Sequence, residues 1–244
     1  MRWITVKDKE NKSQKILIKK KDGTILGGIG GTETGNKISD VFDKNSFIQK
    51  QRKKSDNFRK TAISGSKANE SCDILNMQLT KSERTAIELY TDLDFSDINK
   101  ILRNNKKYDK DAFPEEYERL LTNINHISNV LKRAKTKEPI IVYRGIDEKF
   151  INTISDKLKI GSMFKDDGFC STTTNIKVTN NFSSKNGYLF EIHVPKGSHA
   201  VSVKSISVNE SEDEILLNKE SIFIIQEIDH DNHKIILELQ NNNE

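Results

Sequence analysis

Helical and strand-like periodicity occupy separate halves of this chain and do not interleave. Between residues 80 and 134 the apolar residues recur at helical spacing. Ala86, Ile87, Tyr90 and Leu93 share one face, Ile98, Ile101 and Leu102 repeat it, and Tyr117, Leu120, Leu121, Ile124 and Leu131 form a third stripe. Thr80-x-x-Glu83 has the spacing of a capping box, and Pro114 suits the first turn of a helix. From Pro139 the texture changes: residues 139–145, 169–173, 188–194, 199–203, 222–228 and 234–239 read as strands, the last two as a hairpin. One short helix is expected around Phe150, Ile151, Ile154 and Leu158. A doubly wound parallel sheet needs a helix between successive strands. The segregation therefore predicts an α+β fold, with N-terminal helices followed by a mixed or antiparallel β core.

A length of 244 residues allows one large domain, or one ordinary domain with an appendage. Residues 1–31 read as a small β-rich segment, with β-prone runs at Trp3-Ile4-Thr5-Val6 and Lys15-Ile16-Leu17-Ile18. Gly27-Gly28-Ile29-Gly30-Gly31 follows; it lacks the Lys-Ser/Thr of a phosphate-binding loop and opens no clear helix, so it reads as a flexible connection. Residues 32–75 read as a polar, partly basic linker in which Lys50, Arg52, Lys53, Lys54, Arg59 and Lys60 face only Asp56. Such a cluster is either a solvated face or a contact for nucleic acid or an acidic partner. Residues 76–244 form the main domain in this reading.

Lys and Arg exceed Asp and Glu by 40 to 36, a margin too small to indicate nucleic-acid binding by itself. Cys72 and Cys170 lie far apart and outside any metal-ligand spacing, so reduced thiols are expected, with Cys170 a small core residue. His126, His193, His199, His230 and His233 form no metal spacing either, and no metal is expected. Met1 is followed by no apolar signal-peptide core, and no run of about 18 apolar residues occurs. The expected location is a bacterial cytoplasm, with no membrane partner.

Three polar motifs interrupt the strand half. Arg144 ends an apolar strand and is followed by Gly145, Ser171-Thr172-Thr173 closes a second strand, and Glu212-Asp213-Glu214 precedes Ile215-Leu216-Leu217. Taken singly, each has an ordinary structural explanation: a salt bridge, hydroxyls satisfying the backbone, an acidic loop. Strand alternation would point Glu212 and Glu214 to the same side, where two close carboxylates raise the pKa of one.

Their order resembles the R-S-E class of mono-ADP-ribosyltransferases, which includes clostridial binary-toxin enzymatic subunits and phage-encoded transferases. The resemblance extends to Leu79-Thr80-x-x-Glu83, Ala86-Ile87, Tyr90-Thr91 and Ile98-Asn99-x-x-Leu102-Arg103 before the Arg strand. It continues through Gly161-x-x-Phe164-x-x-x-Gly168-Phe169 and Tyr188-Leu189-Phe190-Glu191-Ile192-x-Val194-Pro195-x-Gly197, covering about residues 78–240. It implies two packed sheets around an NAD cleft, with NAD as co-substrate. Glu214 would stabilise the ribosyl cation, Ser171 would hold Glu214, and Thr172 would assist Ser171. Arg144 would bind the NAD phosphates and Gly145 would clamp the nicotinamide carboxamide. Tyr90, Asn99 and Phe182 would contact the cofactor, while Phe95 stands where many relatives have tyrosine. Glu212 would orient the acceptor, most often protein arginine, and Asp213 makes the site more acidic, which favours a cationic acceptor. A nucleic-acid base is a second acceptor class, and an antitoxin partner is left open. The N-terminal Trp3-Ile4-Thr5-Val6, Asp22-Gly23-Thr24-Ile25 and glycine-rich run resemble phage head-morphogenesis proteins, implying a phage setting and delivery with a phage particle. The rival readings are an NAD glycohydrolase toxin and a non-enzymatic phage structural module.

Overall fold

The computed structural model describes residues 2–7, 13–18, 44–103, 108–181 and 187–241. Strands β1 (Arg2–Lys7) and β2 (Ser13–Ile18) form a separate antiparallel pair, in agreement with the β-prone runs. The glycine-rich run at 27–31 and Phe182 lie outside the described residues.

The described part of the expected linker is helical and packed. Helix α1 (Lys44–Thr61) lies on the sheet, and α2 (Gly65–Ser71) follows it. Phe58 stacks on His193 at 4.5 Å, Ile63 bridges to Ile140, and Ala68, Cys72 and Ile74 are buried. The basic cluster is partly consumed in this docking. Arg52 pairs with Glu227 (3.8 Å), Lys54 with Glu238 (2.7 Å) and Arg59 with the buried Glu191 (2.7 Å). Polarity here marks a helix held to the outer, polar side of a sheet by ion pairs, a role that hydropathy does not distinguish from a linker.

Helix α3 (Lys81–Leu89) starts at the Thr80–Glu83 capping box, with both reciprocal bonds formed. A π-helical turn (Tyr90–Asp94) leads directly into α4 (Phe95–Leu102), and α5 (Pro114–Arg133) carries Pro114 in its first turn. The π turn corrects one sequence expectation. The wider turn moves Leu93 off the inner face, where it is 70 % exposed, and brings Asp94 inward instead. Asp94 is held by both Arg119 guanidinium nitrogens (2.8 Å each) and by Asn123 (3.0 Å), which fixes the turn against α5.

The remaining elements are β3 (Ile140–Ile146), α6 (Glu148–Thr153), β4 (Met163–Asp166), β5 (Cys170–Thr173), β6 (Tyr188–Val194), β7 (Ala200–Ser202), β8 (Glu214–Leu217), β9 (Ser221–Asp229) and β10 (Lys234–Leu239). The fold is α+β, as the segregated periodicity predicts. The eight strands take the order β4-β9-β10-β6-β3-β5-β8-β7, with β6 and β10 parallel and every other neighbouring pair antiparallel. In place of two separate sheets, hydrogen bonding joins all eight strands into one. The join is narrow: β3 and β5 share the single pair Tyr143–Thr173. One core lies under Ile140, Val142, Ile192, Ile215, Leu217, Ile225 and Leu237, drawing on both sides of this pinch. A second packs Ala86, Ile87, Ile98, Leu120, Ile127 and Leu131 of the helices against Val201, Leu216 and Phe169. No helix among the described residues is long and apolar enough to cross a membrane.

Candidate active site

The pinch places the three polar motifs side by side. Tyr143 pairs with Thr173, and Thr173 pairs in turn with Glu214, so the middle of β3, the end of β5 and the start of β8 meet. Ser171 pairs with Leu216, a member of the helix-side core, so Ser171, Thr173 and Glu214 share the face turned to the helices.

Glu214 is buried, and the Ser171 hydroxyl favours its ionised form. Burial pushes its carboxyl up to about 7; the Glu212 charge adds to the rise, while the Ser171 bond and the Arg144 charge oppose it. Behind Ser171 stands the fully buried Tyr90, its phenol oxygen 3.2 Å from Ser171 Oγ. Asn99 Nδ2 donates to that same phenol oxygen at 3.0 Å. The amide can only donate, so the phenol proton is free for Ser171, and the Ser171 proton is free for the carboxylate. Burial, followed by the Glu214 charge, raises the Tyr90 pKa and keeps the phenol a donor. The donors therefore run in one direction, Asn99 to Tyr90 to Ser171 to Glu214, and favour the ionised carboxylate against the cost of its burial.

Tyr90→Phe breaks this chain in its middle. It leaves the Asn99 amide group unpaired beside an Oδ1 that is already buried without a partner. We expect a loss of about 1–3 kcal/mol in unfolding free energy, the usual cost of an orphaned buried polar group. Thermal or urea unfolding measures it. A variant as stable as the wild type would show that the chain carries no structural energy.

Arg144, on β3, carries the positive charge that acts on Glu214. Its Nη1 donates to Cys170 Sγ (2.8 Å) and approaches Asp166 Oδ2 (3.5 Å). Burial works against the guanidinium charge, but the Cys170 sulfur and Asp166 more than offset it, and the pKa is raised. Cys170 is thus a buried residue, as expected, with its sulfur turned to the arginine. Asp166 is itself forked by Arg103 through Nε (2.8 Å) and Nη2 (3.0 Å), and it accepts from the Gly168 amide (3.0 Å). A Cβ at Gly168 would stand 2.5 Å from Asn99 Oδ1 and 2.8 Å from Arg103 Cζ, so a side chain here would push both groups out of place. Arg103, Asp166 and Gly168 frame the site. Arg103 and Gly168 occur in the motifs quoted above, but residue spacing gave no sign that they meet.

Two sequence expectations need correction. Thr172 points away from the Ser171 network: its Oγ1 donates to the Ile215 carbonyl at 2.6 Å, a tie between strands. Thr173 is the hydroxyl that serves the site, donating to the Glu212 carbonyl at 2.5 Å. Strand alternation, counted from Ser171, would have selected it. Glu212 is also not on a strand with Glu214. It closes a 3₁₀ turn (Glu210–Glu212), and Asp213 takes the left-handed conformation at φ 49° before β8 begins. Glu212 is consequently half-buried at the rim, while Glu214 sits inside. Gly145 lies in β3 opposite Leu189, next to Arg144. Phe95 is 52 % exposed at the start of α4. Among the described residues no group of three His, Cys, Asp or Glu side chains is arranged to hold a metal.

A buried carboxylate fed by a hydroxyl chain, a cation beside it and a second carboxylate at the rim are suited to stabilising a transient cation and presenting it to a nucleophile. The chain resembles known proteins of this chemistry. It is 30 % identical over 157 residues to the NAD(+)--arginine ADP-ribosyltransferase EFV of Enterococcus faecalis, a match covering 62 % of this chain and 30 % of that protein. The matched part is therefore under a third of that relative's length. In fold it is similar to Plx2a, an ADP-ribosyltransferase toxin from Paenibacillus larvae, with TM-score 0.57 and 23 % identity over 80 % of this chain and 96 % of that one. It is also similar to the ADP-ribosyltransferase Vis in complex with agmatine, with TM-score 0.55 and 19 % identity over 88 % of this chain and 89 % of that one. The family model for the ADP-ribosyltransferase exoenzyme matches residues 65–243. The chain belongs to the ADP-ribosyltransferase exoenzyme family, whose members use NAD as co-substrate.

Proposed function

We propose that this protein transfers a single ADP-ribose from NAD to an arginine side chain of a protein, releasing nicotinamide. The observation that carries the reading is the one-way donor chain ending on buried Glu214, with Glu212 open at the rim beside it. Cleavage of the nicotinamide–ribose bond develops positive charge on the ribose, and a preorganised carboxylate in a water-poor site stabilises that charge. Glu214 supplies it, and Ser171 and Tyr90 keep it aimed. Arg144 holds the diphosphate, and Gly145 permits close approach of the nicotinamide carboxamide. Glu212, two residues away and nearer solvent, orients the acceptor guanidinium and takes up its proton. The bond broken joins nicotinamide nitrogen to ribose C1; the new bond joins C1 to the guanidino nitrogen. Arginine as acceptor is supported by the name of the Enterococcus relative and by agmatine, a guanidino compound, in the Vis complex. The ion pairs of α1 reduce the support for a nucleic-acid acceptor, because they occupy half of the basic cluster. The setting we propose is a bacterial cytoplasm, with delivery on a phage particle; its support is the resemblance of the N-terminal segment.

Incubation with labelled NAD and bacterial lysate tests the reading. Label released by protease and competed by agmatine supports it. Label released by nuclease, or free ADP-ribose alone, replaces the acceptor. No NAD turnover at all would sink the enzymatic reading.

The pH profile gives a second check. Activity needs ionised Glu214, so kcat/KM for NAD hydrolysis should rise with pH through about 7 and then level off. Glu212→Gln removes one cause of the raised pKa and should move that limb to lower pH. An unmoved limb would show that Glu212 does not act on Glu214 electrostatically.

A further inference from the structure

The loop before β8 places Asp213 in the left-handed region, at φ 49°, where side-chain-bearing residues rarely settle. On its strand side the loop is firmly tied. The Glu212 carbonyl accepts from Thr173 Oγ1 (2.5 Å), the Asp213 carbonyl from the Thr174 amide (3.2 Å) and the Glu214 carbonyl from the Val203 amide (3.1 Å). On its solvent side two side-chain bonds complete it. Asn209 Nδ2 donates to Glu212 Oε1 (2.5 Å), and Lys204 Nζ donates to Asp213 Oδ1 (2.6 Å). Lys204 comes from the turn after β7, not from the loop, so it ties the rim to a different strand. It is also the cation on a segment that otherwise carries Glu210, Glu212, Asp213 and Glu214.

We propose that Lys204 is a positioning residue for the acceptor: by pinning and neutralising Asp213 in its left-handed conformation, it sets the place of Glu212 without touching the NAD-cleaving groups. The physical argument is a balance of two modest effects. A left-handed aspartate is unfavourable, and an ion pair with a partly exposed lysine is favourable by a similar amount. Without the ammonium the left-handed turn loses its tie and Glu212 its fixed place; the unpaired Asp213 charge attracts a guanidinium but does not orient it, so the lost placement decides the outcome. Transfer to a guanidinium demands a fixed acceptor carboxylate, whereas hydrolysis by water does not. Loss of Lys204 should therefore change the ratio of transfer to hydrolysis. The proposal rests on the reading of Glu212 as the acceptor residue.

The test uses the full chain with Lys204→Met and the double variant Lys204→Met/Asp213→Gly. Glycine adopts the left-handed conformation without strain and removes the unpaired charge, so the double variant needs no lysine. Agmatine transfer, NAD hydrolysis and amide hydrogen exchange of residues 208–214 are measured together. For Lys204→Met we expect the agmatine KM to rise about tenfold, NAD hydrolysis to stay within about twofold, and exchange in the loop to quicken. The double variant should recover both the agmatine KM and the slow exchange. Unchanged exchange in Lys204→Met overturns the proposal whatever the acceptor. Quickened exchange with unchanged agmatine kinetics also overturns it, as does an equal fall in transfer and hydrolysis or a double variant that recovers neither. If the wild type transfers to no guanidino compound while exchange responds as expected, the Glu212 reading fails and Lys204 stands only as a brace of the loop.

Discussion

Glu214→Gln should remove NAD cleavage and, above neutral pH, make the folded protein more stable. The first effect follows from charge. The amide keeps the shape of the carboxylate and a bond to Ser171, but it cannot balance a developing cation, and loss of one such electrostatic group typically costs about 10²–10³ in rate. The second follows from linkage. The folded carboxyl has its pKa raised from 4.5 to about 7, chiefly by burial, so the folded state binds the proton more tightly than the unfolded state. The protonated form contributes its full stability below about 4.5, and that contribution is lost as pH rises through about 7. Above this window the ionised, buried Glu214 destabilises the wild type by about 3 kcal/mol, since each tenfold difference in proton affinity between the folded and unfolded states is worth about 1.4 kcal/mol. The glutamine escapes that cost. Urea unfolding at pH 8.5 should favour the variant, and at pH 4 the two proteins should converge. A variant less stable at both pH values would show that the carboxylate is satisfied in the free protein. Retained NAD turnover would remove Glu214 from the chemistry altogether.

Arg144→Ala should weaken NAD binding by about 10- to 100-fold, the equivalent of about 1.5–3 kcal/mol for a charge-assisted contact with a phosphate. The fold should survive, because Asp166 retains its fork from Arg103 and its bond from the Gly168 amide. Arg144→Lys should not restore binding, since an ammonium cannot reproduce the planar fork of the guanidinium. Isothermal calorimetry with NAD reads the affinity directly, and kcat at saturating NAD should fall less than kcat/KM. The opposite pattern, unchanged affinity with a large fall in kcat, would move Arg144 from binding the cofactor to stabilising the transition state. Arg144 Nη1 is held by Cys170 and Asp166, which aims the guanidinium before any phosphate is met.

Some features were decided within a few residues of chain and were legible there. The Thr80–Glu83 box, Pro114 at the start of α5, the bounds of β6 and β10 and the α+β class all follow from local periodicity and capping chemistry. The site motifs were legible as types in order: Arg144, Ser171 and Glu214 do lie on strands that meet, although β3 runs on to Ile146 and does not end at Arg144. Other features depended on what lies across the fold. Leu93 leaves the core because a π turn, held by Arg119 and Asn123 from another helix, shifts the register by one residue. Residues 44–61 are a packed helix because carboxylates of β6, β9 and β10, more than a hundred residues later, neutralise their charges.

The same division runs through the site. The sequence alone determined that a cation, a hydroxyl and an acidic pair would follow one another along the strand half of the chain, because strand periodicity and motif order are local properties. Only the tertiary structure decided what each one does. It buried Glu214 and left Glu212 at the rim, because the left-handed Asp213 breaks the alternation that would have made them equivalent. It chose Thr173 over Thr172, because the pairing of β5 with β8 fixes which face meets the helices. It joined Asn99 and Tyr90 to Ser171 across about eighty residues of chain, because helix packing brings donors to a carboxylate that burial would otherwise keep neutral.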